Sequence, residues 1–161
     1  MRFRSTGFTL IELLVVIAIV VILTTIAIPS FNSTITSTRM AGEVNTLLST
    51  LNFARSEASK RGQQVSVCPV SGSACATSTN WTAGWQVLQP DTNTQLNISS
   101  GVGHGDTLTS TLSTYPVFTS MGYTFFSGTL SLHDPNNTRS LYRCIVFSAG
   151  SWTTQKGASC P

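Results

Sequence analysis

The chain has 161 residues, room for one domain plus one long helical appendage and too little for a second independent core. Hydrophobic residues make up 41% of it, but the densest run lies between Phe8 and Ile28, while the region beyond Ser30 is rich in Ser, Thr, Asn and Gly. Charged residues amount to 9%, and setting Arg2 and Arg4 aside from nine basic groups leaves seven against six acids, about +1, which argues against a broadly basic nucleic-acid-binding surface.

The first predicted element is an apolar helix. Residues 13–38 carry no charged side chain, and 13–28 (LLVVIAIVVILTTIAI) are nearly unbroken hydrocarbon. An apolar helix of about 20 residues spans a bilayer core of about 30 Å, so a segment from Phe8 to near Phe31 is long enough. Arg2 and Arg4 precede the run and no basic residue follows it until Arg39, which places the N-terminus in the cytoplasm and the bulk of the chain outside. A secretory signal would have its cleavage site after the apolar region. Here the informative junction comes before it, at Gly7-Phe8-Thr9-Leu10-Ile11-Glu12, behind the short basic stretch Met1 to Thr6.

That junction resembles the class III signal of type IV pilins and type II secretion pseudopilins. The resemblance implies cutting between Gly7 and Phe8 by a prepilin peptidase, followed by methylation of the new amine on Phe8. Glu12 is the position that needs a chemical reason, because a carboxylate within an apolar span costs about 2.5 to 3.5 kcal/mol. One reading puts it at the interfacial edge, simply solvated. The role implied by the pilin resemblance is neutralisation of the α-amine of a neighbouring subunit during filament assembly.

Pro29 falls where the apolar run ends. Proline removes a backbone donor and clashes with the preceding turn, so either the helix stops there or it kinks near residues 27–29 and continues. Continuation is preferred, because Val44, Leu47, Leu48, Leu51, Ala54 and Ala58 recur at three- and four-residue spacing. This apolar stripe should pack on a sheet, with Arg39, Glu43, Asn45 and Asn52 facing elsewhere. Gly62, after the cations Lys60 and Arg61, is a plausible terminator.

Past Gly62 the pattern turns to short β-like runs between Gly, Pro, Asn and Ser clusters. Predicted strands are 64–68, 84–88, 95–98, 107–112, 123–126, 129–133, 141–147 and 151–154, the last two joined by a turn at Ser148-Ala149-Gly150. Residues 80–97 and 102–111 are polar enough to be loops instead. The cysteines Cys68, Cys75, Cys144 and Cys160 allow three pairings. An exported chain would oxidise them, and Cys68 with Cys75 plus Cys144 with Cys160 needs the fewest crossings. Zinc is the competing reading, but the Cys68–Cys75 spacing lacks the C-x2-C knuckle and neither His104 nor His133 sits in a ligand pair, so no metal is expected.

The globular part resembles the GspH/FimT family of minor pilins and pseudopilins. The resemblance is carried by Leu51, Ala54-Arg55-Ser56-Glu57-Ala58, Arg61, Val65, Val67-Cys68, Cys75, Trp81 and Gly84-Trp85. Later come Phe125, Gly128, the strand from Cys144 to Phe147 and the turn at Gly150. It implies an α+β type IV pilin fold, a long N-terminal helix whose transmembrane first half precedes a half packed on a mostly antiparallel β domain. The corresponding division is 1–7 leader, 8–29 transmembrane and filament-core helix, 30–62 amphipathic helix half and 63–161 globular domain.

An enzyme is not expected. Arg55 and Glu57 read as junction hydrogen bonding, Trp81 and Trp85 as packing, and 101–106 (GVGHGD) lacks the phosphate-binding spacing and reads as a flexible loop. No G-x-S-x-G elbow occurs, and no cofactor is implied. The resemblance implies a structural minor pilin for type IV pilus assembly, supporting twitching motility, adhesion or natural transformation. Its partners would be other major or minor pilins or pseudopilins, the prepilin peptidase and the inner membrane. The chain would sit there as a single-pass protein with a periplasmic domain before entering the extracellular pilus. A GspH-like pseudopilin of type II secretion is one alternative. The other is a DNA-binding minor pilin; relatives are thought to hold DNA through arginines after the turn at Gly150, where this chain has Ser151, Trp152 and Thr153. Arg139, Arg143 and Lys156, joined by Lys60 and Arg61, would have to supply the patch instead.

Overall fold

The computed structural model describes residues 7–72, 74–125, 127–134, 141–148 and 150–161, with the side chains of residues 29 and 30 left aside. The chain divides into two units, Met1–Thr36 and Ser37–Pro161. Helix α1 (Leu10–Arg61) begins in the first and ends in the second. It is helical through Pro29 rather than ending there.

In the first unit the apolar side chains from Leu10 to Ile28 are all exposed, and an 18-residue window of α1 has a mean hydropathy of 3.0 with none of it buried. The polar interruptions look after themselves. Thr24 and Thr25 donate to the carbonyl oxygens of Val21 and Ile22 at 2.9 and 2.7 Å, so neither hydroxyl needs water. This helix is long and apolar enough to cross a membrane.

The second unit is organised by the amphipathic part of α1. Met40, Val44, Leu47, Leu51, Ala54 and Ala58 form one stripe, each less than a tenth exposed. Spacings of three and four residues keep them on one face, and alanines at 54 and 58 let the backbone approach closely. Arg61 ends the helix and Gly62, at φ 65°, turns the chain away, as the sequence implied.

Two antiparallel sheets complete this unit. One holds β1 (Val65–Pro69), β2 (Gly84–Gln89), β3 (Thr94–Ser100) and β5 (Val117–Phe118) in the order β3-β2-β1-β5. The other holds β4 (Thr107–Ser110), β6 (Gly128–His133), β7 (Tyr142–Ser148) and β8 (Ser151–Gly157) in the order β4-β6-β7-β8. The helix stripe joins Val65, Val67, Trp85, Val87 and Phe118 of the first sheet and Leu108, Leu130, Leu132, Ile145 and Phe147 of the second in one core. Both disulfides form as the local pairing predicts, Cys68–Cys75 and Cys144–Cys160, with Cα separations of 5.5 and 5.6 Å.

Several sequence-based expectations are corrected. The strand predicted at 123–126 is irregular over 123–125, Phe126 lying outside the described residues. Its aromatics point outward, Phe125 being 80% exposed, and the Thr119 carbonyl and hydroxyl hold Gly122 and Tyr123 in a loop. The strand beside β1 on the side away from β2 is β5, whose two residues are too short to show a period. Of the two readings of 80–97 and 102–111, the loop alternative fails, and the predicted strands 84–88, 95–98 and 107–112 appear as β2, β3 and β4. An edge strand such as β3 needs no apolar face to keep its ladder, and β4 alternates without hydrophobic emphasis. Arg39 and Glu43 do not face away from the domain, because both bond to the 101–106 segment.

Candidate functional site

At its N-terminus α1 carries a reciprocal cap. The Glu12 N–H donates to Thr9 Oγ1 at 3.3 Å, while the Thr9 N–H and hydroxyl both donate to Glu12 Oε2 at 3.4 Å. Thr9 is the residue before the first helical position and Glu12 the third within it, so this is a capping box, which satisfies donors the helix would otherwise leave orphaned. The carboxylate also lies at the positive end of the helix dipole. Sequence reasoning passed over Thr9, although Thr-x-x-Glu ahead of an apolar run is a readable cap signal. Gly7 and Phe8, the predicted processing junction, precede the helix and are exposed, Phe8 by 81%. The remainder of the predicted leader, residues 1–6, lies outside the described residues.

In the second unit the charged groups are mostly used within the fold. Arg39 forks onto Asp106, Nε to Oδ2 at 3.1 Å and Nη2 to Oδ1 at 2.7 Å, and also meets Asp134 Oδ2 at 3.4 Å. Asp106 is fully buried as a side chain, which explains why Arg39 faces inward: an unpaired carboxylate there would be costly. Asp106 is delivered by the Gly-rich segment, whose turn is closed by the Asp106 N–H donating to the Gly103 carbonyl at 2.9 Å. Gly101 packs so tightly that a β-carbon there would lie 1.9 Å from the Thr82 carbonyl oxygen. Gly101 thus serves close packing against residues 82–84. Glu43 accepts from the Gly103 N–H at 3.1 Å, and its burial pushes the carboxyl above the usual carboxylate range.

Arg55 crosses to the β7–β8 hairpin. Its Nη2 donates to the Gly150 carbonyl at 2.9 Å, and its guanidinium carbon lies 4.2 Å from the centre of the Trp152 ring. Glu57 takes Arg61 Nε at 2.7 Å and Lys60 Nζ at 3.4 Å, and the bond from Arg61 holds its carboxyl below the ordinary range. Arg55 and Glu57 therefore form no acid–base pair with each other. Trp81 and Trp85 are buried, their indole N–H groups donating to Ser78 O at 3.2 Å and Thr50 Oγ1 at 3.1 Å, as packing residues should. His133 stacks on Tyr142 at 4.5 Å.

Of the five cations proposed as one patch, the four that are described do not converge on one surface. Arg143 and Lys156 face each other across β7 and β8, and Arg143 donates to the carbonyl and hydroxyl of Ser37, both at 3.1 Å. Lys60 and Arg61 lie 23 residues further along α1 than Ser37, about 35 Å at 1.5 Å per residue, and are engaged with Glu57. Arg139 lies outside the described residues. Among the described residues no cluster of His, Cys, Asp or Glu is arranged to hold a metal ion.

A capped apolar N-terminal helix and a second unit in which its amphipathic end packs on two antiparallel sheets define a type IV pilin-like protein. Two family models bear on it: one for the prokaryotic N-terminal methylation motif matches residues 2–28, and one for the type II transport protein GspH matches residues 43–151. The chain belongs to the GspH family of minor pilins and pseudopilins. The fold is also that of FimU, a type IV minor pilin of Pseudomonas aeruginosa. One FimU crystal form superposes with a TM-score of 0.57 at 18% identity over 71% of this chain and 87% of FimU, a second with 0.55 at 19% over 71% and 91%. No curated protein sequence matches the chain. Pilins are a structural, generally non-catalytic group that assembles with other pilins, and the apolar helix with its methylation motif fits membrane anchoring.

Proposed function

We propose that the protein is a minor pilin that helps to prime or cap a type IV pilus. A prepilin peptidase cuts it between Gly7 and Phe8 and the Phe8 amine is methylated. Before assembly the apolar helix crosses the inner membrane with its N-terminus in the cytoplasm and the β domain in the periplasm, the side favoured by Arg2 and Arg4 and by two disulfides. In the filament the helix leaves lipid for the apolar surfaces of neighbouring helices, and Pro29 loosens it where the apolar run ends. The observation that carries the reading is Glu12: one acid, capped with Thr9, at the head of an apolar run that carries no other charge from residue 13 to residue 38. In the assembled rod its carboxylate neutralises the α-amine of an adjacent subunit.

The experiment is mass spectrometry of the mature N-terminus together with gene deletion and a twitching assay. The expected result is a chain beginning at methylated Phe8 and a loss of pili or motility on deletion. Glu12→Ala should leave processing and membrane insertion intact but reduce the chain in sheared filaments. Removing one member of a desolvated pair strands the other at about 3 to 5 kcal/mol, enough to lower incorporation well over tenfold. Normal incorporation of Glu12→Ala would count against the assignment.

A pseudopilin of type II secretion is the second reading, favoured by the description of the family model that matches 43–151. Loss of secretion with intact pili on deletion would select it. DNA binding has weaker support, since Arg143 and Lys156 are neighbours across β7 and β8 while Lys60 and Arg61 form a separate pair engaged with Glu57. A salt-dependent gel shift with the full chain in detergent would revive it.

A further inference from the structure

We infer that the groove between α1 and β8 receives an acidic side chain from a neighbouring protein subunit. The inference rests on the assembly role proposed above and names one contact within it. The groove has a volume of about 160 Å³, with Val44, Asn45 and Leu48 of α1 on one wall and Arg143, Gln155 and Lys156 of the β7–β8 hairpin on the other. Like charges directly opposite one another in an antiparallel pair repel, and Arg143 and Lys156 are such a pair. Nothing in the groove offsets them. No acid lines it, Arg143 bonds only the neutral carbonyl and hydroxyl of Ser37, and among the described residues no ion pair reaches either cation. Glu43 shares with Arg143 a different and much smaller cavity, of about 10 Å³, and spends its hydrogen bond on Gly103.

Size and lining select the occupant. The volume equals that of about five waters at ~30 Å³ each and falls below the ~300 Å³ at which small-molecule sites begin. A lipid acyl chain does not fit. A nucleic-acid backbone needs a track of cations, whereas Lys60 and Arg61 lie 12 residues or more beyond Leu48, about 18 Å along α1, and are bonded to Glu57. A single carboxylate on a short aliphatic stem matches both the charge and the apolar wall of Val44 and Leu48. Beside the groove β8 is an edge strand paired only to β7, so the segment bearing the acid can lie extended along it.

The test uses the full chain in its own membrane with the filament machinery present. A photo-crosslinking amino acid replaces Gln155, which is exposed and lines the groove, and the adducts are mapped by mass spectrometry. The expected adduct joins Gln155 to a peptide of another pilin-family subunit that contains Asp or Glu. Lys156→Glu, a change at an exposed side chain, should lower its yield about tenfold, Lys156→Arg should keep it, and reversing the partner's acid to Lys should restore it with Lys156→Glu. The inference is overturned by an adduct insensitive to Lys156→Glu, by one on lipid or nucleic acid, or by none at all from a chain that is cut after Gly7 and enters filaments. A chain left uncut overturns this contact and the assembly role together.

Discussion

Glu43 and Glu57 lie on the same helix, and their surroundings push them in opposite directions. For Glu57 the bond from Arg61 lowers the carboxyl pKa below its ordinary value of 4.5, so the stabilisation it brings is complete above that value and is lost as pH falls through the lowered pKa. For Glu43 burial raises the pKa above 4.5, outweighing the Gly103 N–H that lowers it. Its ionised form is therefore penalised in the fold at neutral pH, and the penalty fades as pH falls through the raised pKa towards 4.5. Glu43→Gln keeps an acceptor for Gly103 and removes the charge. Thermal unfolding across pH should show this variant more stable than the parent at pH 7, with the gain disappearing as pH falls through the raised pKa to below 4.5 and the parent's Glu43 protonates; a gain independent of pH would contradict the sign. Neither behaviour was legible in the sequence, where Glu43 read as a member of the helix's polar face and Glu57 as surface or junction hydrogen bonding.

At the scale of elements the amphipathic end of α1 was the most legible, because apolar side chains recurring every three and four residues are what one buried helix face requires. Leu51 sits at the middle of its stripe with no exposed surface. Leu51→Ala should cost about 2 to 5 kcal/mol in denaturant unfolding, the range for a buried leucine whose cavity only partly collapses. A loss under about 1 kcal/mol would mean that the helix can settle onto the sheets without it. The strands were harder. Most strands, β6 and β7 among them, lay close to their predicted places, and so did the largely exposed β3, predicted at 95–98, whereas β5 has two residues and writes no period into the chain. The aromatic run at 123–125 misled for the converse reason: Tyr123 and Phe125 suit a strand, but both are turned outward.

On the scale of the whole molecule, the two units use hydrophobic side chains differently. Every residue of the core cluster lies at or beyond Met40, while the apolar residues of the first unit are exposed. A fragment Ser37–Pro161 should therefore unfold cooperatively in water without detergent, whereas the full chain should require detergent or membrane. Within that fragment the Cys144–Cys160 bridge closes a loop with a sequence separation of 16, a length for which cross-linking contributes about 3 kcal/mol. Replacing both cysteines by alanine should lower the fragment's unfolding free energy by about that amount, as measured by urea titration.

By itself the sequence determined the membrane-crossing capacity, the N-terminal methylation motif and the helix stripe, since each depends on neighbouring residues and on periods that a linear text preserves. The local disulfide pairing was favoured for the same reason. Contacts between residues far apart in the chain were decided only by the tertiary structure. Arg39 meets Asp106 and Asp134, Arg55 meets Gly150 and Trp152, and Arg143 meets Ser37 because folding brings the strands and loops of the β domain beside the helix. It also separated cations that the sequence had grouped, since α1 holds Lys60 and Arg61 far from Ser37 and its partner Arg143, a distance that no count of charges contains.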